Sequence, residues 1–207
     1  MNTKESFLDI LHSVDRKGID KIINYLEETT FFIDPASCTE HNSYEGGLVE
    51  HSLNVYNILE KNCKQYPEMN GLDASIKIVG LLHDVCQIGT FQKISKNVTV
   101  KGKDGKNVLK ENGRILFVEK EMYDPFPEGQ LPYPRGTLST ILIKKHMSLT
   151  KLEDLTIQWH LGAYDQPRHL WNVLNRAQKM HKLVFKLFSA KREAILYHDH
   201  KVEVKND

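Results

Sequence analysis

The sequence predicts a mostly α-helical domain with one small β-hairpin excursion. Most of the chain places apolar residues at helical spacing, whereas one internal stretch alternates apolar and polar residues. With 207 residues, the chain is long enough for one domain with a sizeable core. Hydrophobic residues make up 40% and charged residues 27% of the chain, as in ordinary globular proteins. We therefore expect residues 1–207 to form a single domain.

The part of the chain before the hairpin is expected to form helices. Residues 1–30 hold two short ones, because apolar residues lie on one face of each. A stronger pattern over Leu48–Asn62 predicts a longer helix, with His51 on its apolar side. Another helix is predicted over Leu72–Val85, and its run Ile78–Leu82 is so apolar that we expect it to be buried.

The part after the hairpin is predicted to be helical as well. Thr137–His146 has helical spacing, and Thr150 begins a capping box that starts the next helix. A last long helix is predicted from Leu170 to Tyr197, with Ser189 as the candidate break. Residues 198–207 are polar, and we expect them to form a frayed tail.

Residues 91–120 are predicted to form the β-hairpin insertion. Apolar and polar residues alternate on both sides of Asp104-Gly105, a strong turn signal. Three lysines cluster at the expected tip, where they should be solvated: Lys101, Lys103 and Lys106. An exposed hairpin is a candidate dimer arm or lid, so a homo-oligomer remains an open alternative.

Charge and cysteine content bound the class of protein. The net charge is +1, so no overall field draws the chain to DNA, RNA or an anionic membrane. Three cysteines without paired spacing argue against a disulfide framework: Cys38, Cys63 and Cys86. The charged N-terminal segment is unlike a signal peptide, and no apolar run approaches the length of a membrane span. We expect a soluble, cytoplasmic protein.

The adjacent pair His83-Asp84 is the sharpest chemical signal. It ends an apolar helix, where a buried imidazole and carboxylate are costly unless they are paired or bind a cation. His51 follows Gly46-Gly47 on an earlier helix. Imidazole nitrogen and carboxylate oxygen together suit a divalent metal ion. The alternative is that each histidine is a hydrogen-bonded core residue.

These motifs resemble the HD superfamily of metal-dependent phosphohydrolases. The resemblance rests on Tyr44–Leu53, which ends in Glu50-His51-Ser52-Leu53, and on Leu81–Cys86, which contains His83-Asp84. It extends to Ile157–Gly162, which contains Trp159-His160. The chain is most similar to small single-domain HD proteins of Gram-positive bacteria and their phages.

The resemblance implies a helical bundle that hydrolyses phosphate esters, often of nucleotides. Such proteins use one or two divalent ions, here Mn, Fe, Zn or Mg. By match to the family motif, His51, His83 and Asp84 would be metal ligands, and His160 would be a pocket histidine. If the protein is active, the expected catalytic residues are His83, Asp84 and His160.

Three departures from the family pattern point away from full activity. Gln87 stands where the family commonly has a lysine, a short step after His-Asp, and Arg135 stands where it often has a histidine. Lys191 aligns with the final aspartate ligand, so an ammonium would lie beside the metal position. Like charges in a poorly screened site repel by several kcal/mol, on the order given by Coulomb's law. We therefore expect hydrolysis to be weak or absent.

The same changes favour binding. Arg135 and Lys191 supply positive charge for a phosphate, since arginine binds it bidentately and lysine as a point charge. His41, Tyr44 and Gln87 are further ligand-binding candidates, beside His51 and His160. The alternatives are that Lys191 extends to solvent and that Arg135 lies on a surface turn. Tyr164 and Asp165, which follow the His160 turn, are weaker candidates for the pocket lining.

The sequence thus leaves three hypotheses open. The first is an HD-like protein that captures a phosphorylated or cyclic nucleotide without cleaving it, such as a phage-encoded sponge that sequesters a host immune signal. The second is an active nucleotidase or phosphodiesterase with a reduced ligand set. The third is an interaction module with a vestigial pocket.

Overall fold

The structure is a computed structural model that describes residues 2–102, 104–110, 112–129, 131–164 and 166–200. Lys103 of the predicted lysine cluster, Asp165 and residues 201–207 of the predicted tail lie outside the described residues. None of the helices over the described ranges has the length and apolarity needed to span a bilayer.

Helices dominate the fold, and a two-stranded antiparallel hairpin interrupts them. The prediction of a mostly α chain with a small hairpin is therefore confirmed. In chain order the elements are α1 Thr3–His12, α2 Ile19–Glu28, α3 Gly47–Cys63, α4 Asp73–Leu82, β1 Phe91–Thr99, β2 Phe117–Pro125, α5 Arg135–Lys144, α6 Lys151–Gln158, α7 Trp171–Met180 and α8 Lys182–Glu193. Short 3-10 turns occur at Pro67–Met69, Val85–Gln87, Pro127–Gly129 and Arg168–Leu170, and a π-helical turn at Ala194–His198.

Helix α3 is the centre of the domain. It packs against α1, α4 and α8, and buried side chains lie on nearly every side of it. Gly80 of α4 permits a close crossing, because a Cβ there would lie 2.9 Å from the Tyr56 Cα of α3. The helix carries His51 into this fully buried region, where the side chain has no solvent exposure.

The loop before α3 depends on its two glycines. Gly46 has a φ of +80°, a left-handed conformation that glycine adopts without strain. A Cβ on Gly47 would lie 1.9 Å from the Asn42 carbonyl oxygen, so any side chain there would clash with the loop backbone. The Gly-Gly pair therefore lets residues 41–46 cross the start of α3 and lie near the His51 ring.

The hairpin extends further than predicted. Its register pairs Phe91 with Pro125 and Thr99 with Phe117, so the second strand ends at Pro125 rather than by residue 120. The predicted turn is confirmed, since Gly105 has a φ of +75° and its amide donates to the Gly102 carbonyl. Most side chains of both strands are exposed, which fits an arm outside the helical core.

Two predictions for the C-terminal region are wrong. The chain breaks at His181, which is extended with φ −136° and ψ 106°, and Ser189 lies inside α8. The predicted tail also begins too early, because Asp199 is 7% exposed and hydrogen bonded to buried side chains. The physical reason is its carboxylate, which finds an imidazole and two amide donors and so holds residues 198–200 against the core.

Candidate functional site

Four separate elements bring chemistry-bearing side chains to one buried cluster. His51 lies in the second turn of α3, and His83 and Asp84 lie where α4 ends. His160 lies in the turn after α6, and Lys191 lies near the end of α8. All five residues are at most 4% exposed. Residues that are far apart in sequence thus converge in the core, as the resemblance led us to expect of the histidines and Asp84.

Asp84 is the centre of the cluster. The Lys191 Nζ lies 2.5 Å from Asp84 Oδ2. The Nε2 atoms of His51 and His83 each lie 3.4 Å from the same oxygen. His160 Nε2 lies 2.9 Å from the other oxygen, Oδ1, without hydrogen-bond geometry. One carboxylate is therefore surrounded by an ammonium and three imidazole rings.

The three imidazoles are oriented by their Nδ1 atoms. His51 Nδ1 lies 2.6 Å from Asp199 Oδ2. His83 Nδ1 and His160 Nδ1 lie 2.9 and 2.8 Å from the backbone carbonyl three residues earlier, which makes Nδ1 the donor in each. Their Nε2 atoms, and that of His51, have no hydrogen-bond partner among the described residues. In the neutral rings Nε2 therefore carries a lone pair directed toward Asp84.

Electrostatic interactions hold Asp84 ionised, with Lys191 as its main partner. Burial would raise the pKa of the Asp84 carboxyl, but Lys191 and then His83 outweigh burial and hold that pKa well below its ordinary value. Burial would lower the pKa of His51, yet the nearby carboxylates of Asp199 and Asp84 raise it overall. Burial lowers the pKa of His83 to about 4, so that ring is neutral at pH 7. The ionised Asp84 thus faces the Lys191 ammonium and a neutral His83 ring.

Asp199 is the functional residue that the sequence did not predict. Its Oδ2 accepts from His51, and its Oδ1 accepts from Asn54 Nδ2 at 2.9 Å and from Asn42 Nδ2 at 3.3 Å. His41 Nε2 lies 3.9 Å from Oδ2. The sequence signal available was the dense tripeptide His198-Asp199-His200, in which every residue can bind a proton or a metal.

The cluster contains residues that could hold a metal ion. One ligand atom each from His51, His83 and Asp84 lies within 4.8 Å of the others, and the free Nε2 lone pairs suit a cation. Lys191 occupies the same carboxylate oxygen, however. At about 4 Å and an effective dielectric constant of about 20, like unit charges repel by about 4 kcal/mol, and a divalent ion doubles this. A divalent ion at Asp84 therefore does not fit while Lys191 is bound there.

A cavity of about 1060 Å³ opens onto this cluster. Asp84, His160 and Lys191 contribute to its lining, as do Arg135 and Arg192. Among the residues that the structure describes, its charged lining side chains are three cations and two anions. Ligand pockets in proteins commonly measure about 300–1,000 Å³. The cavity is therefore large enough for a nucleotide, and its lining favours an anion.

Aromatic side chains also line this cavity. Phe91 and Tyr133 line one part of it. Tyr164 and Phe188 line another part, and the centroids of these two rings lie 6.4 Å apart. The Arg192 guanidinium lies over the Tyr164 ring at 5.3 Å from its centroid. Flat aromatic faces bind bases by stacking, which gives the cavity an apolar as well as a cationic character.

The remaining sequence candidates divide between the cavity and its surroundings. His41, Gln87, Arg135 and Tyr164 line the cavity. Gln87 is buried, and its Oε1 accepts from the Thr90 hydroxyl at 3.1 Å. Tyr44 is not part of the cavity lining, and its hydroxyl donates to Asn42 Oδ1 at 3.2 Å instead. His51 and His83 lie behind Asp84, outside the lining.

No family model and no solved structure matches the chain. Human Protein PTHB1 is 26% identical over 140 residues, which cover 65% of this chain and 15% of PTHB1. The chain therefore spans about one seventh of the length of this relative. An identity this low does not establish a family, so the site must be interpreted from its own geometry.

Proposed function

We propose that this chain is a non-catalytic or weakly catalytic protein with the helical-bundle fold of the HD superfamily, and that it binds a phosphorylated nucleotide. The observation that carries the proposal is the ion pair between Lys191 and Asp84. It places a fixed ammonium at the carboxylate that HD phosphohydrolases use for metal binding. The site thereby supplies the cation that a phosphate needs, but not the ion that would cleave it.

The chemistry of hydrolysis explains why the ion pair argues against turnover. A catalytic divalent ion lowers the pKa of bound water to about 7 and so generates hydroxide at neutral pH. An ammonium carries one charge and has no empty coordination position for water. The neighbouring Gln87 amide, whose Oε1 is already engaged by Thr90, supplies no proton-transfer group either. The residues present can hold a phosphate, whereas Lys191 stands at the carboxylate where a metal ion would activate the attacking water.

The cavity supports binding of a nucleotide rather than of nucleic acid. Arg135, Lys191 and Arg192 line it together with Tyr133 and Tyr164, and the Arg192 guanidinium lies over the Tyr164 ring. A net charge of +1 provides no extended surface field for a polymer backbone. A cyclic nucleotide or an ADP-ribose-type signal has the anionic and planar parts that this lining would bind. Such a protein, acting in the cytoplasm as a phage-encoded sponge, would sequester a host immune signal.

Ligand recovery tests the proposal. The chain is purified without chelator, denatured by heat, and the released small molecules are identified by mass spectrometry. We expect one intact nucleotide per chain and loss of its recovery in Lys191→Met. The matched control is Lys182→Met, because Lys182 is exposed on the same helix. If the wild type releases no nucleotide and no nucleotide raises its melting temperature, the proposal is wrong.

An active metal-dependent phosphohydrolase is the second candidate. The three Nε2 lone pairs of His51, His83 and His160 converge on Asp84, which favours it. This candidate predicts stoichiometric manganese, iron or zinc in the purified chain, lost in His83→Ala, together with release of phosphate from a nucleotide. Recovery of uncleaved nucleotide from a chain free of metal at Asp84 would exclude it.

A further inference from the structure

A second cluster of metal-ligating side chains lies on the opposite side of the His51 ring from Lys191. It comprises His41, His51 and Asp199, all at most 7% exposed, with one ligand atom from each within 4.8 Å of the others. His51 presents Nδ1 to Asp199, whereas its Nε2 faces Asp84. The buried Nδ1 of His41 has no hydrogen-bond partner among the residues described.

We infer that His41, His51 and Asp199 bind one divalent transition-metal ion, for which Zn²⁺ is the best match. Two imidazoles and one carboxylate form a common three-ligand set for such ions. Zn–N and Zn–O bonds of about 2.0–2.2 Å place tetrahedral donors about 3.3 Å apart. The separations of Asp199 Oδ2 from the two rings, 2.6 Å to His51 Nδ1 and 3.9 Å to His41 Nε2, straddle that value.

The surroundings of Asp199 resemble those of a metal-bound carboxylate. Its Oδ1 is held by the amide groups of Asn42 and Asn54, which leaves Oδ2 directed toward the two rings. Asn42 is fixed in turn, because its Oδ1 accepts from the backbone amide of His200 at 2.7 Å. Outer hydrogen bonds of this kind orient metal ligands and strengthen binding.

Electrostatics also favour this side of His51 over the Asp84 side. Asp84 is paired with Lys191, whereas the partners of Asp199 over the described part of the chain are amides and imidazoles. An ion that binds at Asp199 therefore displaces only a proton from His51. An ion at Asp84 would have to displace the Lys191 ammonium. His41 also lines the cavity, which provides a route for the ion to enter. This site does not depend on whether the cavity binds a nucleotide.

Zinc binding by the chelator-treated chain tests the inference. Equilibrium dialysis against Zn²⁺, followed by metal analysis, is expected to give one ion per chain, and Co²⁺ should give a visible absorption band. Affinity should fall at least tenfold in His41→Gln and in Asp199→Asn, which keep polar side chains of similar size. His83→Gln should bind normally, because His83 belongs to the Asp84 cluster alone. His12→Gln, at an exposed position, is the matched control.

The opposite pattern overturns the inference. A wild type that binds no zinc, or zinc lost in His83→Gln but kept in both His41→Gln and Asp199→Asn, excludes this site. Circular dichroism of each variant separates lost binding from lost folding. If either variant unfolds, the cobalt spectrum of the other still decides, because each removes a different ligand. Nucleotide recovery in the presence of chelator remains a separate measurement, so failure here leaves the proposed function standing.

Discussion

Lys191 Nζ and Asp84 Oδ2 form a buried ion pair at 2.5 Å, with three imidazole rings around the carboxylate. Burying either charge alone would be costly, because the low-dielectric interior replaces none of the lost hydration. The ion pair therefore stabilises the packing of α8 against the end of α4. The Lys191 ammonium also occupies the Asp84 oxygen that a metal ion would need for binding there.

The first prediction concerns stability. Lys191→Met removes the ammonium and leaves Asp84 ionised among imidazoles, or protonates it at a cost. Breaking one side of a buried pair costs about 3–5 kcal/mol, so we expect a loss of that size in the free energy of unfolding. Urea denaturation at pH 7 measures it. Lys182→Met on the same helix should change the stability by less than about 0.5 kcal/mol, as surface changes do. Equal effects in the two variants would contradict the buried pair.

The second prediction restores the ligand set. Lys191→Asp together with Gln87→Lys replaces the ammonium by a carboxylate and puts a lysine three residues after Asp84, as is common in the HD pattern. We expect this double variant to bind a divalent ion at the Asp84 cluster and to lose that ion when His83→Ala is added. Asp199→Asn is added to both the double variant and the wild type, because it removes the His41–His51–Asp199 cluster. The metal contents of these two proteins are then compared. A folded double variant without metal would mean that Lys191 does not align with the final aspartate ligand of the HD pattern.

The third prediction concerns the ligand. Arg135→Ala removes a cation from the cavity lining, and a charge-assisted bond to phosphate is worth about 1.5–3 kcal/mol. We therefore expect nucleotide affinity to fall by at least tenfold, measured by calorimetry with the recovered nucleotide. Arg176→Ala, on the exposed face of α7, is the matched control and should bind normally. Unchanged affinity in Arg135→Ala would place the phosphate elsewhere in the cavity.

The central helices could be predicted from the sequence because their signals are local. Helical spacing identified α3 and α4, and the adjacency of His83 and Asp84 at the end of an apolar run indicated a buried polar cluster. For these elements a property of neighbouring residues decided the outcome. The expectation that Lys191 lies beside the cluster came instead from its alignment with the final aspartate of the HD pattern, based on Ser189-Ala190 and helical phase.

The C-terminal region could not be predicted in this way. The break at His181 separates α7, whose Leu174 packs in a small cluster with Trp159, from α8, whose Leu183 and Leu187 pack in the main core. The sequence around His181 contains no glycine or proline that would predict this break. Asp199 lies in a polar segment without periodicity, and it is buried only because α3 and the loop before it present His51, Asn54 and Asn42 as partners. Such partners are visible only in three dimensions.

The last prediction concerns a buried pair far from the cavity, which tests the packing of α6 independently. Arg16 binds the Glu153 carboxylate bidentately at 3.0 and 3.1 Å, and the hydroxyl of Ser75 donates to it at 2.7 Å. Burial would raise the pKa of Glu153, but Arg16 and its other donors lower it overall.

A carboxyl whose pKa is lowered in the folded state stabilises the fold above its unfolded pKa and loses that contribution as pH falls. Glu153→Gln should therefore destabilise the chain at pH 7 by about 2 kcal/mol, the scale of a charged hydrogen bond. The difference from wild type should shrink as pH falls below about 4.3, the ordinary glutamate pKa, because the Glu153 carboxyl then binds a proton in the unfolded chain before it does so in the folded one. Chemical denaturation at pH 7 and at lower pH measures both values. Glu28→Gln, at an exposed position, is the control, and a difference that stays constant with pH would contradict an ionised Glu153.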